Sequence, residues 1–188
     1  PVRRTMSTAF APGKCILFGE HAVVYGHPAV AVSIDSGVEI TIEESEDWEI
    51  NNQYNTDGFE KFNPKKHPHI QHIIKDLFEY EGKPLRINVQ SNLFSGAGLG
   101  SSAALSNAMG AALHQFTKPD KEIDLIKLSK IGHSAEAATQ EGRASPTDSA
   151  ASSLGGCVVV SGERIDTLQH VFDTSLVTPE GKRSWSIH

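Results

Sequence analysis

From Ala9 to Val32 the chain is apolar but interrupted at Pro12, Gly13, Gly19, Gly26 and Pro28, which predicts short strands and tight turns rather than a helix. Val38, Ile40 and Ile42 alternate with polar neighbours, the period of two that a half-buried strand requires. Asn51 to Pro64 is polar and reads as loop or hairpin. Ile70, Ile73, Ile74, Leu77 and Phe78 recur at helical spacing, so an amphipathic helix is expected over 69–80, stopped by Gly82. Leu85, Ile87 and Val89 return to strand alternation.

A glycine-rich turn, Gly96 to Gly100, follows that strand and runs into Ser101-Ser102-Ala103-Ala104, from which Met109, Ala112, Leu113 and Phe116 carry a helix onward. The stripe Ile123, Ile126, Ile131 and Ala135 predicts a second helix over 121–141. Gly142 to Asp148 then reads as a loop, and Cys157 to Val160 as a short buried strand behind Gly155-Gly156. There is no internal repeat and no low-complexity tract. Strands and helices mix without strict alternation, so the expected fold class is α+β, a mixed, largely antiparallel sheet with helices on one face.

Composition narrows the function. At 188 residues, 38% hydrophobic and 21% charged, the chain suits one globular domain with a core, or slightly more. Seventeen Lys and Arg against 23 Asp and Glu leave a net charge of -6, so nothing draws the whole chain to nucleic acid or an anionic membrane. An anionic ligand needs a local site. Cys15 and Cys157 are far apart and form no CxxC pair, which argues against a disulfide framework or a zinc site and makes a reducing cytoplasm the expected location. No apolar stretch has the length to cross a bilayer, and the start lacks a signal-peptide core. Met6 precedes the first structured segment, so residues 1–5 are read as leader and 6–188 as the folded unit.

The glycine loop is the first candidate site. Glycines at 96, 98 and 100 let the backbone take positive φ and approach a ligand with no Cβ in the way. At a helix start, free N–H groups and the helix dipole face the same anion, so Gly96-Ala97-Gly98-Leu99-Gly100 is a candidate phosphate cradle. Ser101 and Ser102 add hydroxyls that can cap the helix or reach a cation held by the phosphates. The competing account is a tight turn, a serine cap and an alanine-rich helix packed closely on the sheet. Neither the common P-loop, with GK followed by Ser or Thr, nor the GxGxxG spacing of dinucleotide folds is present.

The segment Pro12 to Gly26, and within it GEHAVVYG, resembles the first signature of the galactokinase, homoserine kinase, mevalonate kinase and phosphomevalonate kinase superfamily in its mevalonate kinase form. Galactokinases look instead like GEHTDYNGG, and phosphomevalonate kinases tend to carry Tyr where His21 stands. Gly96 to Ala104, GAGLGSSAA, resembles the second signature, which holds ATP. GRASPTD, from Gly142 to Asp148, is similar to the loop that carries the catalytic aspartate in archaeal-type mevalonate kinases. The resemblance runs from about Ala9 to Val160 and implies a ribosomal protein S5 domain 2-like fold and ATP-dependent phosphorylation of mevalonate. Two departures stand out. Phe94 occupies a place where the family usually has Pro, and the glycine-rich third signature of a second domain has no match, so the family's C-terminal half is expected to be absent.

Phosphoryl transfer needs positioning and charge neutralisation more than covalent chemistry. By resemblance Asp148 is the catalytic aspartate; on its own, an Asp among small residues at an exposed tip also suits capping of the following turn. Lys14 lies beside Gly13 in an apolar strand, where a lysine is costly without an anionic partner. The resemblance gives it Asp148 and a phosphate, and the task of easing the charge on the oxyanion that forms. Snorkelling to the surface is the alternative. The Mg²⁺ ligands implied are Ser102 and Glu136, the latter three residues after His133. The segment from Glu136 to Asp148 is one residue longer than usual, which leaves Glu141 as a fallback.

Glu20 and His21 are implied on the substrate side, and Ser91 near the nucleotide, with a satisfied core histidine and a plain strand serine as the alternatives. His67, His69 and His72 open an amphipathic helix with no carboxylate or cysteine to complete a metal set, and are read as surface residues. Cys15 and Cys157 are read as small buried hydrophobes. The expected ligands are therefore ATP, Mg²⁺ and mevalonate, and the expected protein partner is a second copy or the absent half. The rivals are a related kinase of phosphomevalonate, a sugar or homoserine, and a non-catalytic nucleotide-binding or regulatory half-domain. Intact Lys14, Glu136 and Asp148 speak against the last.

Overall fold

A computed structural model describes residues 5–20, 22–52, 58–94, 96–139, 144–162 and 164–168. The strands are β1 (Met6–Phe18), β2 (Ala29–Glu44), β3 (Glu49–Asn52), β4 (Glu60–Lys61), β5 (Leu85–Ser91), β6 (Cys157–Ser161) and β7 (Arg164–Thr167). The helices are α1 (Pro68–His72), α2 (Ser101–Thr117), α3 (Leu125–Thr139) and α4 (Pro146–Leu154). One sheet runs in the order β4-β3-β5-β2-β6-β7, with β1 on the other edge of β2. Among the described residues only the β3–β5 pair is parallel. The α+β class and the largely antiparallel sheet are as the sequence implied.

Periodicity explains which face is covered. Ala9 and Ala11 of β1, Ile40 and Ile42 of β2 and Ile87 of β5 alternate inward and are almost fully buried beneath α2, with Met109 and Leu113 above them. Burying each large aliphatic side chain contributes roughly 1.5–3 kcal/mol. Ser7 on the same face donates to the Ala112 carbonyl of α2 at 2.7 Å, which meets its hydrogen-bonding need in a dry place. A smaller cluster, Ala31, Val158 and Val160 against Ala150 and Ala151, seats α4 on β2 and β6.

The segment over 9–32 is not a series of short strands. β1 continues through Pro12 and Gly13 by way of a bulge: from the pair Pro12–Gly37 to the pair Lys14–Ser33, β1 advances two residues while β2 advances four. The bulge reverses the alternation on both strands, so that Lys14 faces the helices just as Ala11 does. A regular strand would have sent the lysine to the opposite face.

Three helical expectations change. The helix expected over 69–80 is a short α1 followed by a π turn, Ile73–Leu77, in which the Phe78 N–H reaches the Ile73 carbonyl at 3.0 Å. The second helix begins at Leu125 rather than near Lys121, because Asp124 caps it by accepting from the N–H groups of Ile126 and Lys127 at 3.0 Å. The loop expected up to Asp148 gives way to α4 at Pro146, a proline in the first helical turn where its missing N–H costs nothing. Cys15 is exposed, contrary to expectation, and Cys157 is buried. Among the described residues no helix is long and apolar enough to cross a membrane.

Candidate active site

The bulge and the start of α4 bring Lys14 and Asp148 together. Lys14 Nζ lies 3.2 Å from Asp148 Oδ2, with side-chain exposures of 8% and 21%. Asp148 is therefore not on an exposed tip. It sits in the first turn of α4, near the positive end of the helix dipole, and is largely covered. Burial raises its pKa and the Lys14 ammonium opposes that rise, while the Glu20 carboxylate adds to it. Asp148 Oδ1 is buried and has no hydrogen-bond partner among the described residues.

Glu136, on α3, is the second acid. It is 4% exposed, and Ser149 Oγ donates to its Oε2 at 3.1 Å. Burial and the nearby Asp148 carboxylate push its pKa up to about 7, against the pull of Ser149 and Lys14. Two largely covered carboxylates thus share one lysine. Burial is the main cause that raises the pKa of both, and a divalent cation would offset that cost. Among the described residues there is no group of three or more His, Cys, Asp or Glu side chains able to hold a metal unaided. That donor set suits Mg²⁺, which takes one or two carboxylates and completes its shell with phosphate and water.

The glycine loop abuts this cluster. The Lys14 N–H donates to the Leu99 carbonyl at 2.9 Å, pinning the loop to β1. Gly100, with φ of 73°, lies so close that a Cβ there would come within 2.9 Å of Lys14 Cγ, so the lysine stem fills the place of a side chain. Gly96 and Gly98 also have positive φ, but nothing lies within 4 Å of a Cβ built on either. The space over them is open to a ligand. α2 starts at Ser101 without a side-chain cap, so its first N–H groups are not taken up by a serine hydroxyl.

Ser102 Oγ lies 3.0 Å from His69 Nε2, and Thr139 Oγ1 lies 2.8 Å from the same nitrogen. The histidines near 69 are not surface residues. His69 is half-buried and burial lowers its pKa; His67 stacks on Phe62 at 5.8 Å; His72 pairs with Asp76 at 2.7 Å. Their place on the helix start was visible in the sequence, but their packing depended on where α1 docks. Ser149 and the fully buried Asn107 also escaped sequence reasoning. Asn107 Nδ2 donates to the Ser149 carbonyl at 3.1 Å, and Ser33 Oγ to the Ala151 carbonyl at 2.7 Å, so polar side chains on α2 and β2 hold α4 and with it Asp148.

Other expected residues are less closely gathered. Glu20 is exposed in the turn after β1 and reaches Asp148 through its charge. His21 and Glu141 lie outside the described residues. Ser91 ends β5, accepts from the Leu93 N–H at 3.2 Å, and lines a groove of about 490 Å³ on the sheet face away from the helices, with Phe10, Glu39, Asn88 and Gln90. Lys14, Asp148 and Glu136 do not line that groove.

Residues 68–156 match the family model described as the GHMP kinases N terminal domain. The chain is 37% identical over 160 residues to a mevalonate kinase of Methanothermobacter thermautotrophicus, covering 84% of this chain and 51% of that protein. With a mevalonate kinase of Archaeoglobus fulgidus the identity is 36% over 149 residues, covering 79% and 50%. The crystal structure of the Methanococcus jannaschii mevalonate kinase superposes with a TM-score of 0.73 at 28% identity, covering 90% of this chain and 57% of that one. A Lactococcus lactis galactokinase, at 18% identity and a TM-score of 0.72, shares the fold. The chain spans about half the length of the relatives it matches.

Proposed function

We propose, from the match of residues 68–156 to the GHMP kinases N terminal domain and the likeness to mevalonate kinases, that the chain supplies the nucleotide-facing and acid-bearing half of an ATP-dependent mevalonate kinase. The observation that carries the reading is the Lys14–Asp148 pair, set by the β1 bulge beside an open glycine loop and a second buried carboxylate. In this reading the loop from Gly96 to Ser102 takes the phosphates of ATP on its backbone N–H groups. Ser102 and Glu136 would hold Mg²⁺, which when bound neutralises phosphate charge.

The acceptor is a primary hydroxyl. Its oxygen forms a bond to the terminal phosphorus as the bridging bond to the leaving diphosphate breaks, and its proton must leave. Asp148 Oδ2 is engaged by Lys14, so the unpartnered Oδ1 is the oxygen suited to accept the substrate hydroxyl's hydrogen. Lys14 stabilises the negative charge that develops on the attacking oxygen. Glu20 and His21 are proposed on the hydroxy-acid side, where a histidine can donate to a carboxylate. The mevalonate assignment rests on GEHAVVYG and GRASPTD, together with the names of the relatives.

A coupled ADP-release assay tests this with mevalonate, phosphomevalonate, homoserine and galactose as acceptors. The expected result is mevalonate-selective turnover by this chain joined to a C-terminal half such as its relatives' length provides. Asp148→Asn in that active form should bind Mg-ATP normally and turn over at least about a hundredfold more slowly. Near-normal turnover of the variant, or preference for another acceptor, refutes the assignment.

A further inference from the structure

His69 lies outside the three sequence motifs, yet it meets two residues at the edge of the candidate site. Its Nε2 is 3.0 Å from the Ser102 hydroxyl, at the start of α2, and 2.8 Å from the Thr139 hydroxyl, at the end of α3. Thr139 in turn donates to the carbonyl of Glu136 at 2.9 Å, one helical turn back. A single ring nitrogen on α1 thereby fixes the spacing between the helix that presents Ser102 and the helix that presents Glu136. The ring is half-buried, in a segment that packs against both helices, so it cannot swing away without leaving hydroxyls unserved.

We infer that His69 is a positioning residue for the divalent cation, holding the Ser102 oxygen and the Glu136 end of α3 at the separation the cation needs; this rests on the proposed Mg-ATP site. The chemistry suits the role. With the Thr139 hydroxyl donating to Glu136, Nε2 serves both hydroxyls as a donor, its one N–H shared between Thr139 Oγ1 and Ser102 Oγ. The Ser102 oxygen then keeps a lone pair free for a cation. Residues behind metal ligands orient them, and their loss typically costs about ten- to a hundredfold in metal affinity. His69 acts in that way, while ATP phosphates engage the loop backbone without it.

The test separates the metal-dependent part of nucleotide binding from the rest. ATP affinity is measured by calorimetry on the full chain with and without Mg²⁺, for the native sequence, His69→Phe, His69→Gln and Thr139→Val, with thermal melts alongside. The native chain should bind ATP more tightly with Mg²⁺. His69→Phe, which keeps a planar ring but removes its nitrogens, should lose roughly ten- to a hundredfold of that gain while its metal-free ATP affinity stays within about twofold. His69→Gln, whose amide reaches the place of Nε2, should recover most of it, and Thr139→Val should lose a smaller share. An undiminished Mg²⁺ gain in His69→Phe overturns the inference alone, as does an equal loss with and without metal. If His69→Phe does not fold, an undiminished gain in Thr139→Val together with no change in His69→Gln overturns it. No Mg²⁺ gain in the native chain overturns the proposed site and this inference with it.

Discussion

Replacing Glu136 by Gln keeps the shape of the side chain and an acceptor for the Ser149 hydroxyl, but removes a buried charge. In the folded chain burial and Asp148 raise Glu136 from 4.5 to about 7. The gap of roughly 2.5 units corresponds to about 3 kcal/mol at 1.36 kcal/mol per unit, taken as a ceiling. An acid with a raised folded value binds more protons folded than unfolded between the two values. Its stabilising contribution is therefore full below about pH 4.5 and is lost as pH rises through about 7. Gln titrates nowhere and loses nothing over that window. The variant should match the native chain to within about 1 kcal/mol near pH 5 and exceed it by up to about 3 kcal/mol near pH 8. At about 2–4 °C per kcal/mol for a chain of this size, the gain is several degrees in a thermal melt. Mg-ATP should reverse the order, since native Glu136 gains a cation and the variant does not. An equal difference at both pH values, or a loss of stability near pH 8, refutes the account of Glu136 as a carboxylate whose pKa is raised by burial and by Asp148.

Two further outcomes follow from the loop and the surface. Gly98→Val places a branched side chain at φ of 69° in open space, so the fold should survive with some strain while Mg-ATP affinity falls; unchanged affinity by calorimetry in a folded variant removes the phosphate cradle. Leu17, Phe18 and Tyr25, at 45%, 71% and 81% exposure, bracket Glu20 with apolar surface. The chain should accordingly self-associate at high concentration, and Phe18→Glu with Tyr25→Glu should return it to monomer; light scattering that shows a native monomer throughout counts against a docking face there.

The sheet and its buried face were legible because a period of two in Val38, Ile40, Ile42 and again in Leu85, Ile87, Val89 leaves one solution for which side is covered. The glycine loop and α2 were legible for a similar reason: glycines where φ must be positive, followed by an alanine-rich run, are a local signal. Local signals failed where the answer depended on a partner. The spacing from Ile70 to Phe78 is helical, yet the segment widens into a π turn as it packs against α2 and α3, and Ser145-Pro146 read as loop although it opens α4. His69 read as a surface residue because nothing near it in sequence shows that Ser102 and Thr139 converge on its ring.

Sequence by itself determined the candidates for the chemistry, Lys14, Glu136 and Asp148 in three separate segments, and the motifs that resemble those of the GHMP kinases. It could not determine which way Lys14 points. That depends on a bulge in which Gly37 packs against the β1 backbone and residues 34–36 slip out of register, between the pairs Pro12–Gly37 and Lys14–Ser33, whose partners are distant in sequence. Nor could it determine that Glu136 is held near 7, since a carboxylate's affinity for its proton follows from the burial and charges that only the packing of α3, α4 and β1 creates.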